Sequence, residues 1–289
     1  MPNINIDISI SKKESLKTVC KYAINKLYIP FDLFYLGELK PEDITRIHNS
    51  TDIKVYLSLP RILRANDDEY LLSLKTFLKN GKADGILVRN LEEIGYLESI
   101  EDDLNNEYIS LNSRKQDYTP LCIDTDYTLY NWNKSALEFV RRYSVCNTVP
   151  MELSIHEAAE IGTDNMVYPI YGYAPLMISK NCIKKTCGDC TGQNNISYNY
   201  CLKDRKNKAF PVTVNCIHCY NEIYNSLPTS LHKYIYDLIK YNYTEFRLDF
   251  TFESNSDIDK LLTYYITDSR SGAFPCSEYT NAHIQKGAI

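Results

Sequence analysis

Six of the ten cysteines fall between residues 182 and 219: Cys182, Cys187, Cys190, Cys201, Cys216 and Cys219. Thiolates are soft ligands for zinc and for iron–sulfur clusters. Two pairs, Cys187–Gly188–Asp189–Cys190 and Cys216–Ile217–His218–Cys219, have two residues between the thiols. A turn of that length can aim both sulfurs at one centre, and two such turns can close a four-thiolate site. Cys182 and Cys201 add further thiols, so spacing alone leaves the choice of four open. The competing readings are disulfides and inert buried thiols. Disulfides need an oxidising compartment. The opening residues, MPNINIDISISKKES, hold no basic segment followed by an apolar run, and no stretch reaches the length of a membrane span. A cytoplasmic location with reduced thiols is the expectation. Cys20, Cys122 and Cys146 then read as ordinary buried thiols.

The same region is basic. Lys180, Lys184, Lys185, Lys203, Arg205, Lys206 and Lys208 are opposed there only by Asp189 and Asp204, in a chain of formal charge −5. Tyr198 and Tyr200 lie within the run. Cations interleaved with aromatics suit a phosphate backbone with unstacked bases, so RNA is a candidate partner. A solvated loop balanced by acidic neighbours is the plainer alternative. The acidic balance of the whole chain argues against a nonspecific nucleic-acid coat protein.

These residues need elements to position them. At 289 residues the chain can form one barrel-sized domain, and its 44% hydrophobic and 24% charged content is ordinary for a globular protein. Strand-like and helix-like segments alternate throughout. The strands are expected at residues 3–10, 28–35, 54–59, 85–88, 120–123, 148–153, 167–178 and 245–252. The helices are expected at 13–24, from Pro41, at 68–80, 91–97, 135–143, 156–162, 231–241 and 256–267. Eight βα units predict a (β/α)8 TIM-like barrel as a single domain over residues 1–289, with a cysteine-rich insertion at 180–226 after strand seven. A doubly wound open sheet is the alternative. No glycine-rich phosphate loop is present, nor H-E-x-x-H or G-x-S-x-G.

In a barrel the C-terminal ends of the strands face the active-site mouth. Arg61, Arg64, Arg89, Asn90, Asp124, Asp126, Glu152 and Ser154 follow or end strands three to six. Arg247 and Asp249 alternate onto one face of an otherwise apolar strand eight. Ionised groups are rarely buried unpaired. These two therefore form either a buried structural pair or part of a site.

Together these segments resemble the U-thirty-two peptidase family, the collagenase-like proteins. The matching runs are LPRILR at 59–64, LVRNLEE at 87–93, PMELSIHE at 150–157, YGYAPLMIS at 171–179 and the cysteine block with LKDR at 202–205. CYNEIYNSLP at 219–228, FRLDFTFE at 246–253 and YTNAHIQKG at 279–287 also match. The similarity is greatest to the C-terminal barrel of longer members. The chain thus reads as a short form, and a partner subunit could supply an upstream barrel. Members usually have Asn where Ser154 stands and Gly where Ala282 stands.

The resemblance implies three activities. Some members act as peptidases on collagen-like substrates. Others support prephenate-dependent hydroxylation of a pyrimidine in rRNA or tRNA. Still others support oxygen-independent ubiquinone hydroxylation with a four-cysteine iron–sulfur cluster. Hydroxylation of rRNA or tRNA is the reading preferred here, because neither a nucleophile–base pair nor an activated water emerges from spacing. It implies a [4Fe–4S] cluster in a partly enclosed barrel mouth, held by Cys182, Cys190, Cys216 and Cys219, with Cys187 and Cys201 as alternates. Glu152 and Asp249 would orient groups or exchange protons. Arg61, Arg89, Asn90, Arg205, Arg247 and His283 would bind substrate, the arginines holding carboxylate or phosphate groups. The rivals are a peptidase with a zinc centre and a zinc-stabilised module that binds RNA or protein without catalysis.

Overall fold

The computed structural model describes residues 4–64, 67–80, 82–100, 121–266 and 273–287. Seven parallel strands come first: β1 (Asn5–Ile10), β2 (Lys26–Pro30), β3 (Lys54–Ser58), β4 (Gly85–Val88), β5 (Cys122–Thr125), β6 (Cys146–Thr148) and β7 (Met166–Gly172). An excursion of β8 (Pro175–Ser179), β9 (Ile196–Lys203), β10 (Ala209–Asn215) and β11 (Tyr220–Tyr224) follows, then the short β12 (Thr229–Ser230). The last strand, β13 (Glu245–Phe250), pairs in parallel with both β1 and β7, and β6 pairs with β7. The eight parallel strands therefore close, and the fold is a (β/α)8 TIM-like barrel.

Alternation sets the two faces of each strand. On β13, Phe246, Leu248 and Phe250 point outward and are buried. They join Ile8, Leu27, Ile29, Val55, Leu57, Ile86 and Val88 in the core beneath the helices. Each such burial stabilises by about 1.5–3 kcal/mol. The helix Asp68–Lys79 shows how its partners are chosen. Tyr70, Leu74 and Leu78 repeat every four residues and are its buried face, while Asp68 and Glu69 sit in its first turn.

The inward positions are unusually polar. Parallel register places Asp7 beside Arg247, Ser9 beside Asp249 and Leu87 beside Asp124. Near the base, Lys26 Nζ lies 2.7 Å from Asp124 Oδ2, and the Tyr28 hydroxyl donates to the same oxygen at 2.8 Å. Tyr28, Tyr56 and Leu87 form a small apolar plug inside the barrel. Gly85 makes room for it: a Cβ there would meet the Tyr56 ring at 2.2 Å.

Several boundaries differ from the sequence reading. The second strand ends at Pro30 and Phe31–Tyr35 is a short helix, because proline has no N–H to continue a ladder. The sixth strand is Cys146–Thr148, earlier than expected, with Pro150 beyond it. The run at 167–178 splits after Gly172 into β7 and β8. The helix expected at 13–24 is a 3-10 turn followed by Leu16–Val19. Asn3, Pro120 and Thr267, at the edges of three expected elements, lie outside the described residues.

The excursion is not a loop. It forms a four-stranded sheet in the order β8-β11-β10-β9, all pairs antiparallel, starting before the expected residue 180. One face lies over the barrel mouth. The other carries a small core of Val212, Val214 and Ile223, against which Cys182, Ile183 and Cys216 pack.

Candidate active site at the barrel mouth

A cleft with a cavity volume of about 80 Å³, partly open to solvent, lies between the strand ends and the sheet above them. Arg61, Arg89, Asp126, Arg247 and Asp249 line it from the barrel, and Glu222 from the sheet. Arg247 is 1% exposed and sits at the floor. Its Nη2 donates to Asp126 Oδ1 at 2.7 Å and its Nη1 to Thr148 Oγ1 at 3.1 Å. Its Nε stands 2.8 Å from Asp249 Oδ1 in an ion pair, and its Nη2 also donates to Asp249 Oδ2 at 3.3 Å. The rings of Tyr28 and Tyr127 lie 5.7 and 5.6 Å from its guanidinium carbon. Arg247 thus ties three strands together at the floor of the cleft.

Arg89 Nε lies 3.1 Å from the other oxygen of Asp126. Arg61 Nε lies 2.8 Å from Glu222 Oε1, and its Nη2 donates to the Tyr127 hydroxyl. Tyr224 donates to the second oxygen of Glu222. The Arg61–Glu222 pair is therefore a polar strut between barrel and sheet.

The two carboxylates on Arg247 are driven apart. Burial would raise the Asp126 carboxyl, but Arg247, Arg89 and Arg61 overcome it and hold it down at about 2. Burial pushes Asp249 up. Arg247 opposes that rise, and the charge of Asp126 adds to it. Such a split assigns one permanent anion and one group suited to holding a proton. Gly172 allows the close approach at this point. Its φ is +145°, and a Cβ there would lie 2.9 Å from the Asp249 Cβ.

A second set of contacts anchors the sheet. His218, in the turn between β10 and β11, is buried with Nδ1 2.8 Å from Asp67 Oδ2 and Nε2 3.4 Å from Asp32 Oδ1. Asn215 Nδ2 donates to Asp32 Oδ2 at 2.8 Å, and the Tyr70 hydroxyl to Asp32 Oδ1 at 2.8 Å. On β9, the Tyr198 hydroxyl donates to the Ser11 carbonyl at 2.6 Å. Tyr198 faces the mouth, so it is not the outward base-stacking surface expected from its place among the lysines.

Of the residues singled out in the sequence, Arg61, Arg89, Arg247 and Asp249 meet at the mouth. Asn90 instead caps the helix Leu91–Ser99: its Oδ1 accepts from the Glu93 N–H at 2.9 Å. Glu152 and His283 line a neighbouring cleft, joined to the mouth through Arg61 and Tyr127, which line both. Arg205 is exposed on the hairpin between β9 and β10, outside the mouth.

None of the cysteines lines the mouth, so the expectation of thiols inside it is not met. Cys182 and Cys216 pack on the sheet's outer core instead. Lys184 Nζ donates to Cys216 Sγ at 3.6 Å, and Cys182 and Cys190 are near enough to act on the charge of Cys216. Cys187, Cys190, Cys201 and Cys219 are exposed. Among the described residues no three His, Cys, Asp or Glu side chains stand where one metal ion could join them. As arranged, the thiols do not form a cradle for a cluster.

The sequence reading missed Glu222, Tyr127 and the Asp32–Asp67–His218 anchor. One signal was available. In YNEIY an acid alternates with two tyrosines, as on the inner face of a strand, and all of β11 is buried.

No family model and no curated protein matches the chain. Similar solved structures include orotidine 5'-monophosphate decarboxylase from Methanocaldococcus jannaschii, at 12% identity and TM-score 0.35, over 58% of this chain and 77% of that one. The spore cortex-lytic enzyme SleL of Bacillus megaterium QM B1551 aligns at 13% identity and TM-score 0.41, over 86% and 71%. The C-terminal domain of a chitinase-titled protein from Desulfitobacterium hafniense DCB-2 aligns at 11% and 0.43, over 88% and 96%. At these values none of the likenesses bears on the chemistry of the mouth.

Proposed function

We propose that the barrel mouth binds the anionic group of a small organic acid and exchanges a proton with it. The sharing of Arg247 by Asp126 and Asp249, in a buried cleft that also holds Arg89, carries this reading. Arg89 is the anchor. Its Nε serves Asp126, its side chain is 21% exposed toward the cleft, and no other group among the described residues hydrogen-bonds its guanidinium. The rest of its planar fork suits a carboxylate. Arg247, fully engaged by protein, is a positioning residue: it fixes both aspartates. Asp249 is the proton-handling group, its carboxyl pushed up by burial in the lining of the cleft.

The resemblance to the U-thirty-two family gives a finer form of the same reading. The acid would be a carboxylate such as prephenate, and the process hydroxylation of a pyrimidine in rRNA or tRNA. The open part of the Arg89 fork in the mouth and the exposed basic hairpin support it. The proposed cluster of Cys182, Cys190, Cys216 and Cys219 rests on spacing and resemblance.

Calorimetric titration with small carboxylates tests the mouth. Arg89→Gln is expected to weaken binding by about ten- to a hundredfold, the scale of a lost charge-assisted contact, with partial recovery in Arg89→Lys. Asp249→Asn should bind normally but lose the buffer-dependent heat of proton transfer. Unchanged affinity in Arg89→Gln would sink the reading.

A further inference from the structure

One wall of the mouth is charged and another carries hydroxyls. Arg89, Asp126, Arg247 and Asp249 make up the first. Ser9 on β1 and Ser58 at the end of β3 belong to the second, with Pro30 of β2 between them. Alternation turns these serines inward. Tyr56 is part of the plug inside the barrel, and Ser58 lies two residues further along the same face. Ser9 is the register partner of Asp249, so the two side chains stand side by side.

The protein makes no use of the Ser58 hydroxyl. Ser58 is 2% exposed, and its Oγ has no hydrogen-bond partner among the described residues. A buried hydroxyl left unpaired is costly. Because it both donates and accepts, a hydroxyl on a bound molecule satisfies it, while a methyl group in the same place does not. Arg89 is close by. Ser58 pairs in register with Leu87, two residues before Arg89. Ser58 and Arg89 are thus diagonal neighbours on adjacent strands, roughly 7–8 Å apart between Cα atoms. The cleft, of about 80 Å³, has room for on the order of six waters, so about that many heavy atoms of a ligand fit inside it. An acid held at Arg89 therefore brings its first one or two carbons alongside Ser58.

We infer that the acid bound in the mouth is a hydroxy acid, with its hydroxyl one or two carbons from the carboxylate and held by Ser58. This inference rests on the reading of the mouth as an anion site. Ser58 is then the residue that sets specificity: it separates a hydroxy acid from a plain acid of the same size. Ser9 extends the hydroxyl wall to Asp249.

The test compares acids of matched size by calorimetry on the full chain: glycolate against propanoate, and 3-hydroxypropanoate against butanoate. In at least one pair the hydroxy acid should bind about ten- to a hundredfold more tightly, the scale set by a buried hydroxyl that gains or lacks its partner. Ser58→Ala should remove most of that preference. The variant deletes a hydroxyl that is unpaired in the free protein, so its melting temperature should be no lower than the parent's. Equal binding within both pairs would overturn this inference and leave the anionic mouth standing. So would a preference that persists undiminished in Ser58→Ala, because the hydroxyl would then be held elsewhere. Failure of all four acids to bind would overturn both readings.

Discussion

Asp7 shows how burial, rather than sequence, decides the charge of a residue. It is fully buried in the barrel, where burial pushes its carboxyl up to about 7 against the pull of Lys26. In the unfolded chain it titrates near 3.9. Between those values the folded protein holds a proton that the unfolded one has lost, so stability falls as pH rises from about 4 to about 7 and then levels. Asp7→Asn keeps an oxygen for the Asn25 amide, which donates to Asp7 Oδ1 at 3.0 Å. The variant should be more stable than the parent by on the order of 4 kcal/mol at pH 8 and no more stable at pH 4. Urea titrations at the two pH values decide it; equal curves at pH 8 would mean Asp7 is ionised at no cost. The mouth follows the same logic with more partners. Arg247 and Asp249 were legible in the sequence because charges interrupt an apolar strand at alternate positions. Which of them is free to meet a ligand was not. That depends on Asp126, Thr148 and Arg89, which arrive from other strands.

At the scale of elements, the barrel strands were readable and the sheet over the mouth was not. Alternation marked β13 and continuous apolar runs marked β3 and β4, because each strand is buried by local repetition of residue type. Strands β8 and β9 of the excursion are half-exposed, and the pairing of β8 with β11 joins segments about 40 residues apart in sequence. The crowded cysteines invited a metal reading there, while the sheet's attachment came from Asp32, in the short helix after β2, and Asp67, just before the helix Asp68–Lys79. Asp32 accepts from Tyr70 and Asn215 and faces His218. Asp32→Ala would leave these groups buried without a partner, at about 3 kcal/mol. Limited proteolysis should then cut within residues 175–226 while the barrel survives. Cleavage no faster than in the parent would show that the Arg61–Glu222 strut suffices. For the thiols, the cluster that the resemblance implies would show as brown anaerobically purified protein that loses iron and sulfide in Cys216→Ser, an outcome that would require the thiols to leave the arrangement described above. Colourless protein with stoichiometric zinc would instead favour a zinc-stabilised module.

The whole molecule is acidic with one basic projection. Lys203, Arg205, Lys206 and Lys208 are exposed on the β9–β10 hairpin, whose turn is held by Asp204 Oδ1 accepting from the Lys206 and Lys208 N–H groups at 2.8 Å each. No helix among the described residues is long and apolar enough to cross a membrane. Reversing the charge of Lys203, Lys206 and Lys208 should weaken RNA binding and reduce its salt slope by about one per lost phosphate contact. An unchanged slope in filter binding would reduce the hairpin to a solvated turn.

The ladder between β1 and β13 has a consequence for how the chain is made. Its pairs run from Asn5 with Glu245 to Ile10 with Phe250, so the first strand's neighbour on one side is the last strand. About 235 residues separate Ile10 from Glu245. At ribosomal rates that interval lasts on the order of ten seconds or more. Throughout it Asp7 and Ser9 have no Arg247 or Asp249 beside them, and the mouth does not exist. The barrel and its chemistry arrive together, late, when the ends of the ladder meet. A nascent chain halted before residue 245 would carry the sheet that covers the mouth, and most of the barrel, around an open seam.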